Sequence, residues 1–255
     1  MNDLTFSSVL IDVELPAPTK LSPALIGALS PLRVVLLGWF PVPEQTSPEH
    51  ARDMFAGEAQ DALDAVARRF AEMGTEVATR LVFTGDKRDT FTRISTEENC
   101  DGVLIPGTMD EMRRILVPLR GLENLSQIAP FVGALCKNNT ATATLLHVVE
   151  GERTEGDSGI EMLEQAQEQM QEDALDADRI GLELIPNASP TNTILDRAGD
   201  HDLMVLGETR PSVQDILFGT VPERIATSTD MPIVIVRDED EAIEAAEQTM
   251  EAGSN

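Results

Sequence analysis

The stretch LMVLGETRPSVQDILFGTVPERIATSTDMPIVIVR, Leu203 to Arg237, decides the fold. Leu203–Leu206 is a short, unbroken apolar run that stops at Gly207, as a parallel strand buried on both faces does. A polar loop leads to a second glycine, Gly219. Thr220 and Glu223 then form a capping box, which starts a helix near Val221 and carries it through Ile225 to the neighbourhood of Asp230. Ile233–Val236 supplies another buried strand. A glycine at the C-terminal end of a strand and a Gly-Thr pair at a helix N-terminus leave backbone N–H groups around one hollow. Such a hollow favours phosphate or another anion. A plain structural reading also fits: Gly207 permits a tight turn and Thr220 caps a helix. This stretch alone leaves both open.

Outward from this unit, the same order of strand and helix fills the chain. Arg114–Leu119 reads as a strand, Leu125–Lys137 as a helix and Thr142–Val149 as a strand. Gly151–Gly159 reads as a charged loop, Ile160–Ala174 as a helix, Leu182–Ile185 as a strand, and Ser189-Pro190 as the start of a helix whose apolar stripe is Ile194, Leu195 and Ala198. The first half begins with a strand at Phe6–Val13, a short helix at Ser22–Leu29 and a strand at Leu32–Trp39. Ser47-Pro48 then opens a long helix with Phe55, Ala59, Ala62, Leu63, Val66 and Phe70 at the helical period, and Gly74 ends it. Val77–Phe83 is a strand, Thr90–Asn99 a helix and Gly102–Ile105 a strand stopped by Pro106-Gly107.

These halves are an internal repeat. Cys100-Asp101-Gly102-Val103-Leu104-Ile105 matches His201-Asp202-Leu203-Met204-Val205-Leu206, and Val9-Leu10-Ile11 matches Ile115-Leu116-Val117. Each copy runs βαβαβαβ, which predicts an α/β fold: two doubly wound, open parallel sheets of Rossmann-like form with helices on both faces. The second copy continues into the glycine loop, a helix and a fifth strand. The first passes from Gly107 directly into the next copy, truncated after strand four. The expected organisation is a degenerate domain over 1–110, a complete one over 111–238 and an acidic tail over 239–255.

The chain has 255 residues with 45 acidic against 19 basic side chains, a formal net charge of −26. Its only lysines are Lys20, Lys87 and Lys137. So acidic a surface repels nucleic acid and anionic membranes, and neither is an expected partner. Acid-rich, lysine-poor composition resembles that of a cytosolic protein of an extreme halophile, because molar salt shortens the Debye length to ~3 Å and screens the self-repulsion; an acidic tail that binds a basic partner is the weaker reading. Cys100 and Cys136 lack CxxC or histidine company, so free buried thiols are expected instead of a disulfide or metal site. The first residues show no signal-peptide pattern, and no apolar run reaches the ~18 residues of a membrane span, so a cytoplasmic location is expected.

The chain resembles the universal stress protein family over nearly its whole length. In that family strand one has the form ILVPxDGS, strand two ends in LHV, and strand four leads into MG-x-x-G-x9-G-S/T. The second copy has Ile115-Leu116-Val117-Pro118-Leu119-Arg120-Gly121, then Leu146-His147-Val148, then Leu206-Gly207 through Gly219-Thr220. The resemblance implies a five-stranded parallel sheet, a site for ATP or AMP across the C-terminal strand ends, and dimers formed through strand five. It carries the nucleotide site onto Pro118, Leu119, Arg120 and Val148 beside the adenine and ribose. Leu206, Gly207, Thr209 and Arg210 fall at the phosphate turn, and Gly219, Thr220 and Val221 at the helix N-terminus beyond it. Three positions depart from the family pattern. Arg120 replaces an aspartate, Arg210 replaces a glycine, and the loop from Gly207 to Gly219 is one residue shorter. Arg210 removes backbone freedom but brings a charge able to neutralise phosphate. Glu208 opposes one. The first copy has Glu14 at the aspartate position, Pro106 in place of Gly207 and no Gly-Thr, so no nucleotide is expected there.

No catalytic constellation emerges. His147 fits a structural role, hydrogen-bonded beside the sheet edge. His50 and His201 have no nucleophile or metal partner, and Ser7, Ser8 and Ser126 lack a His/Asp arrangement. The carboxylates of Glu161–Asp173 read as a solvated face, with Met162 and Met170 as core contacts. A regulatory, non-enzymatic protein with a modified nucleotide or anion site in the second copy is the reading these residues favour. The alternative is a ligand-free interaction scaffold, forming a homodimer through an open strand edge at Met231–Arg237.

Overall fold

In the computed structural model, residues 7–43, 45–149, 155–173, 175–186, 189–207, 225 and 228–237 are described. The chain divides into two compact units at the end of the strand Gly102–Ile105, whose last residue falls on the side of the second unit.

The first unit holds β1 (Ser8–Glu14), α1 (Pro23–Leu29), β2 (Arg33–Pro41), α2 (Pro48–Ala71), β3 (Glu76–Thr84), α3 (Lys87–Glu97) and β4 (Gly102–Ile105). Its strands are parallel and lie in the order β3-β2-β1-β4. Local chemistry sets the helix ends. The hydroxyl of Ser22 accepts from the Leu25 N–H at 3.1 Å, and that of Ser47 from the His50 N–H at 3.2 Å. Each serine is followed by a proline whose missing N–H costs nothing in the first turn. α2 buries Ala51, Ala59, Leu63, Val66 and Phe70 on one stripe. Beyond it Gly74 takes φ +79°, in the left-handed region where glycine is free of strain.

The second unit holds β5 (Arg114–Leu119), α4 (Leu125–Cys136), β6 (Thr142–Val149), α5 (Glu155–Asp173), β7 (Ile180–Pro186), α6 (Pro190–Ala198), β8 (Leu203–Gly207) and β9 (Ile233–Val236). Its order is β9-β8-β5-β6-β7, again with parallel pairs. The protein is thus α/β, with parallel strand pairs and alternating helices in each unit. Strand for strand, β1, β2, β3 and β4 run in the order of β5, β6, β7 and β8. The aspartates that mark the repeat have matching tasks. Asp101 Oδ2 accepts from the Ser8 N–H at 2.7 Å, and Asp202 Oδ2 accepts from the N–H groups of Arg113 and Arg114 at 2.9 and 2.8 Å. Each carboxylate pins the start of the first strand of its own unit to the loop before the fourth.

Two sequence expectations shift. α5 starts at Glu155, inside the stretch read as a loop, because packing against the sheet outweighs the helix cost of its glycines, ~1 kcal/mol each. A side chain at Gly159 would stand 2.9 Å from Leu184 Cδ1 and 3.2 Å from His147 Cδ2, so this glycine sets how closely α5 lies on β6 and β7. The second shift concerns Met231–Arg237, expected as an open edge: all seven residues are buried in the single chain, with Ile233–Val236 at most 1% exposed. The helix expected near Val221 and the acidic tail over 239–255 lie outside the described residues. Of that helix Ile225 and Ser228 are described, and Ile225 is buried in one core with Leu116, Leu146, Met204 and Ile233.

Candidate functional site

In the second unit the chain moves from β5 through α4 to β6 and through α5 to β7, all to one side. It then returns through α6 to β8 on the other side of β5. Right-handed crossovers put α4 and α5 on one face and α6 on the other. The reversal makes the gap between the C-terminal ends of β5 and β8 the switch point where open α/β sheets take ligands. The pairing shows the gap. β5 matches β6 in register through Leu119, but matches β8 only at Ile115↔Leu203 and Leu116↔Met204. Beyond these, β5 reaches Pro118, which has no N–H to donate, and β8 pairs on with β9 through Gly207↔Val236.

Register sorts the expected site residues between the two faces. Pro118 pairs with Leu146, and Val148 follows two residues later, so Pro118 and Val148 share a face. Val148 and Leu206 both pack on the core beneath α6. These three form an apolar wall, half-buried at the strand ends. Leu119 and Gly207 belong to the opposite face, under α4 and α5. Arg120 follows β5 and is exposed. Thr209, Arg210, Gly219, Thr220 and Val221 lie outside the described residues.

Gly207 has a steric task. A Cβ there would stand 2.9 Å from both Cβ and Nδ2 of Asn124 and 3.0 Å from Ile128 Cδ1. Glycine therefore lets the N-terminus of α4 close on the end of β8. Asn124 holds the N-cap position of α4, whose first turn carries no acidic residue. The positive end of a twelve-residue helix thus faces the switch point. The sequence reading passed over Asn124, although an Asn directly before an apolar helical run is a capping signal. Glu123 brings negative charge to the same place: its carboxylate folds back over Gly121, where an added Cβ would meet Oε2 at 2.4 Å.

His147 and His201 are structural. His147 Nδ1 lies 2.8 Å from the Leu119 carbonyl oxygen, which only accepts, so Nδ1 carries the proton. The ring ties the end of β6 to the end of β5. His201 Nδ1 likewise donates to the Arg197 carbonyl at 2.8 Å, and its Nε2 meets the Thr144 hydroxyl at 3.0 Å. Cys100 and Cys136 are buried thiols, and neither is in a disulfide. Among the described residues no group of three or more His, Cys, Asp or Glu is arranged to hold a metal ion, and no helix is long and apolar enough to cross a membrane. A hollow of about 510 Å³ lies at the N-terminal ends of β5 and β8 beside Arg113, Arg114 and Asp202. That is the wrong edge of an open sheet for ligands by the switch-point rule.

Comparison with known proteins agrees with this architecture. A family model described as the universal stress protein family matches residues 111–237. No curated protein is similar to the chain in sequence. A universal stress protein from Archaeoglobus fulgidus DSM 4304 superposes with a TM-score of 0.63 at 14% identity, over 90% of this chain and 96% of its own. A functionally unknown protein from Pseudomonas aeruginosa PAO1 gives 0.59 at 14% identity, over 96% and 98%. A universal stress protein from Archaeoglobus fulgidus in complex with dAMP covers 50% of this chain and 99% of its own, with a TM-score of 0.40 at 16% identity. By the family match over the second unit, which carries the strand order and switch point just described, this chain belongs to the universal stress protein family.

Proposed function

We propose that the second unit binds an adenine nucleotide, ATP or AMP, or a related anion, and that the protein is a non-enzymatic regulator of a stress response. The observation that carries this reading is the switch point itself. β5 and β8 part at Pro118, Pro118, Val148 and Leu206 offer an apolar wall for a base, and Gly207 admits the N-terminus of α4 beside it. The reading assigns Arg120 to the adenine and ribose side and Arg210 to the phosphates, with Thr209, Gly219, Thr220 and Val221 completing the loop. The first unit is proposed as a degenerate domain of the same type and a packing partner without nucleotide. The acidic composition is proposed as an adaptation to high salt.

Calorimetric titration of ATP, ADP and AMP in molar KCl, with and without Mg²⁺, tests the site. The expected result is one site per chain, lost in Gly219→Asp. Equal binding by Gly219→Asp would overturn the assignment, and absence of heat with every nucleotide would overturn the function. The ligand-free scaffold has less support, because Met231–Arg237 is buried within the chain. A dimer mass in light scattering would favour it.

A further inference from the structure

Asp12 and Trp39 stand on neighbouring strands of the first unit. β1 pairs with β2 so that Asp12 matches Leu37 and Glu14 matches Trp39. With the two-residue period of a strand, Asp12, Glu14 and Trp39 project from one face. Gly38 projects from the other, where Leu63 of α2 presses on it. Lys87, the first residue of α3, reaches the Asp12 face. Its ammonium bonds Asp12 Oδ2 and lies 4.6 Å from the centre of the Trp39 ring. A carboxylate beside an indole face is the combination that holds organic cations.

The arrangement is incomplete. Asp12 Oδ1 and Trp39 Nε1 are both buried and make no hydrogen bond. Buried polar atoms are normally paired, and a purely structural lysine–aspartate pair has no use for a spare acceptor and a spare donor. An ammonium is a point charge that serves one carboxylate oxygen here. A planar guanidinium spans both oxygens with its fork and lies flat on an aromatic ring. The Lys87 side chain is 33% exposed and starts a helix, so it can swing away without unpacking the core. The net charge of −26 draws cations toward the whole surface.

We propose that the C-terminal end of the first unit's sheet, at Asp12 and Trp39, binds a small molecule bearing a guanidinium or amidinium group, with Lys87 as its internal stand-in. The ligand's N–H fork engages both oxygens of Asp12, its planar cation covers the Trp39 ring, and Trp39 Nε1 donates to an acceptor on the same molecule. This site is separate from the nucleotide site proposed for the second unit.

Trp39 is the only tryptophan, so its fluorescence reports on this site alone. Ethylguanidinium chloride, titrated at millimolar concentration and constant ionic strength in molar KCl, is the probe. The expected result is a saturating change in Trp39 emission. Lys87→Met removes the competing charge and is expected to tighten binding about tenfold, and Asp12→Asn is expected to abolish saturation. Circular dichroism checks that the variants fold, and Lys87→Gln replaces Lys87→Met if the latter does not. If Asp12→Asn does not fold, the Lys87 variants decide alone. A linear response in the parent, an equal response to ethylammonium, or unchanged affinity in the Lys87 variants would overturn the proposal.

Discussion

Gly207 ends β8 against Asn124: a Cβ on this glycine would stand 2.9 Å from both Cβ and Nδ2 of the asparagine. The contact joins the last residue of the fourth strand of the second unit to the N-terminus of the first helix of that unit. Gly207→Ala forces α4 away from the sheet or distorts β8. Overpacking of this kind costs about 1–3 kcal/mol. Denaturant unfolding in molar KCl is expected to show that loss, and the same variant is expected to weaken the nucleotide binding proposed for the second unit, since the helix end is displaced from the switch point.

His147 binds the Leu119 carbonyl through Nδ1–H at 2.8 Å. His147→Phe keeps a ring against Gly159 and removes the donor. The expected loss is about 1 kcal/mol in unfolding free energy, the net worth of one such hydrogen bond. A loss of activity-like ligand binding far beyond that stability change would point to a direct role for the ring.

Burial pushes the Cys136 thiol up to about 11, against the opposing pull of the Arg179 guanidinium. At pH 8 the thiolate is then about one part in a thousand, and the thiolate is the reactive form. Cys100 is buried as well, at 4% exposed. A chromogenic disulfide reagent is expected to find no fast thiol in the native protein at pH 8 and two after denaturation. One fast thiol in the native protein would contradict the burial of Cys100 before β4 or of Cys136 on α4.

Burial raises the Asp12 carboxyl above its ordinary value, and the Lys87 ammonium only partly offsets this. A carboxyl whose folded value lies above its unfolded value binds its proton more tightly when folded. Its contribution to stability is present below the ordinary carboxylate range and is lost as pH rises through the folded value. Asp12→Asn is therefore expected to be at least as stable as the parent at pH 7, with the difference closing below pH ~3.8. Thermal unfolding of both proteins across that range checks the sign.

The net charge of −26 sets a salt dependence. Self-repulsion reaches ~10 Å at 0.1 M salt and ~3 Å at 1 M. The midpoint of thermal unfolding is expected to rise as KCl increases between these concentrations. A midpoint that stays level would remove the reading of the charge as a salt adaptation.

The order of elements was legible because its signals are local. Ser22-Pro23 and Ser47-Pro48 start helices, apolar runs such as Leu203–Leu206 make buried strands, and a βαβ unit has one handedness. These fix a parallel α/β fold from short windows of residues. Asp101 and Asp202 were visible as a matched pair, but their bonds to the starts of β1 and β5 were not. The start of α5 was misread because Gly156 and Gly159 argue for a loop, while the contact that favours the helix, Gly159 against Leu184 and His147, comes from distant strands.

The sequence alone therefore determined the family and, apart from the start of α5, the run of strands and helices among the described residues. Only the tertiary structure decided which side chains meet. It set Pro118, Val148 and Leu206 on one face and Gly207 with Asn124 on the other. It buried Met231–Arg237, and it brought Lys87 to Asp12 and Trp39. The physical reason is register. A one-residue slip between strands sends every side chain to the opposite face, and that register is settled by packing between segments far apart in the chain, where no local pattern reaches.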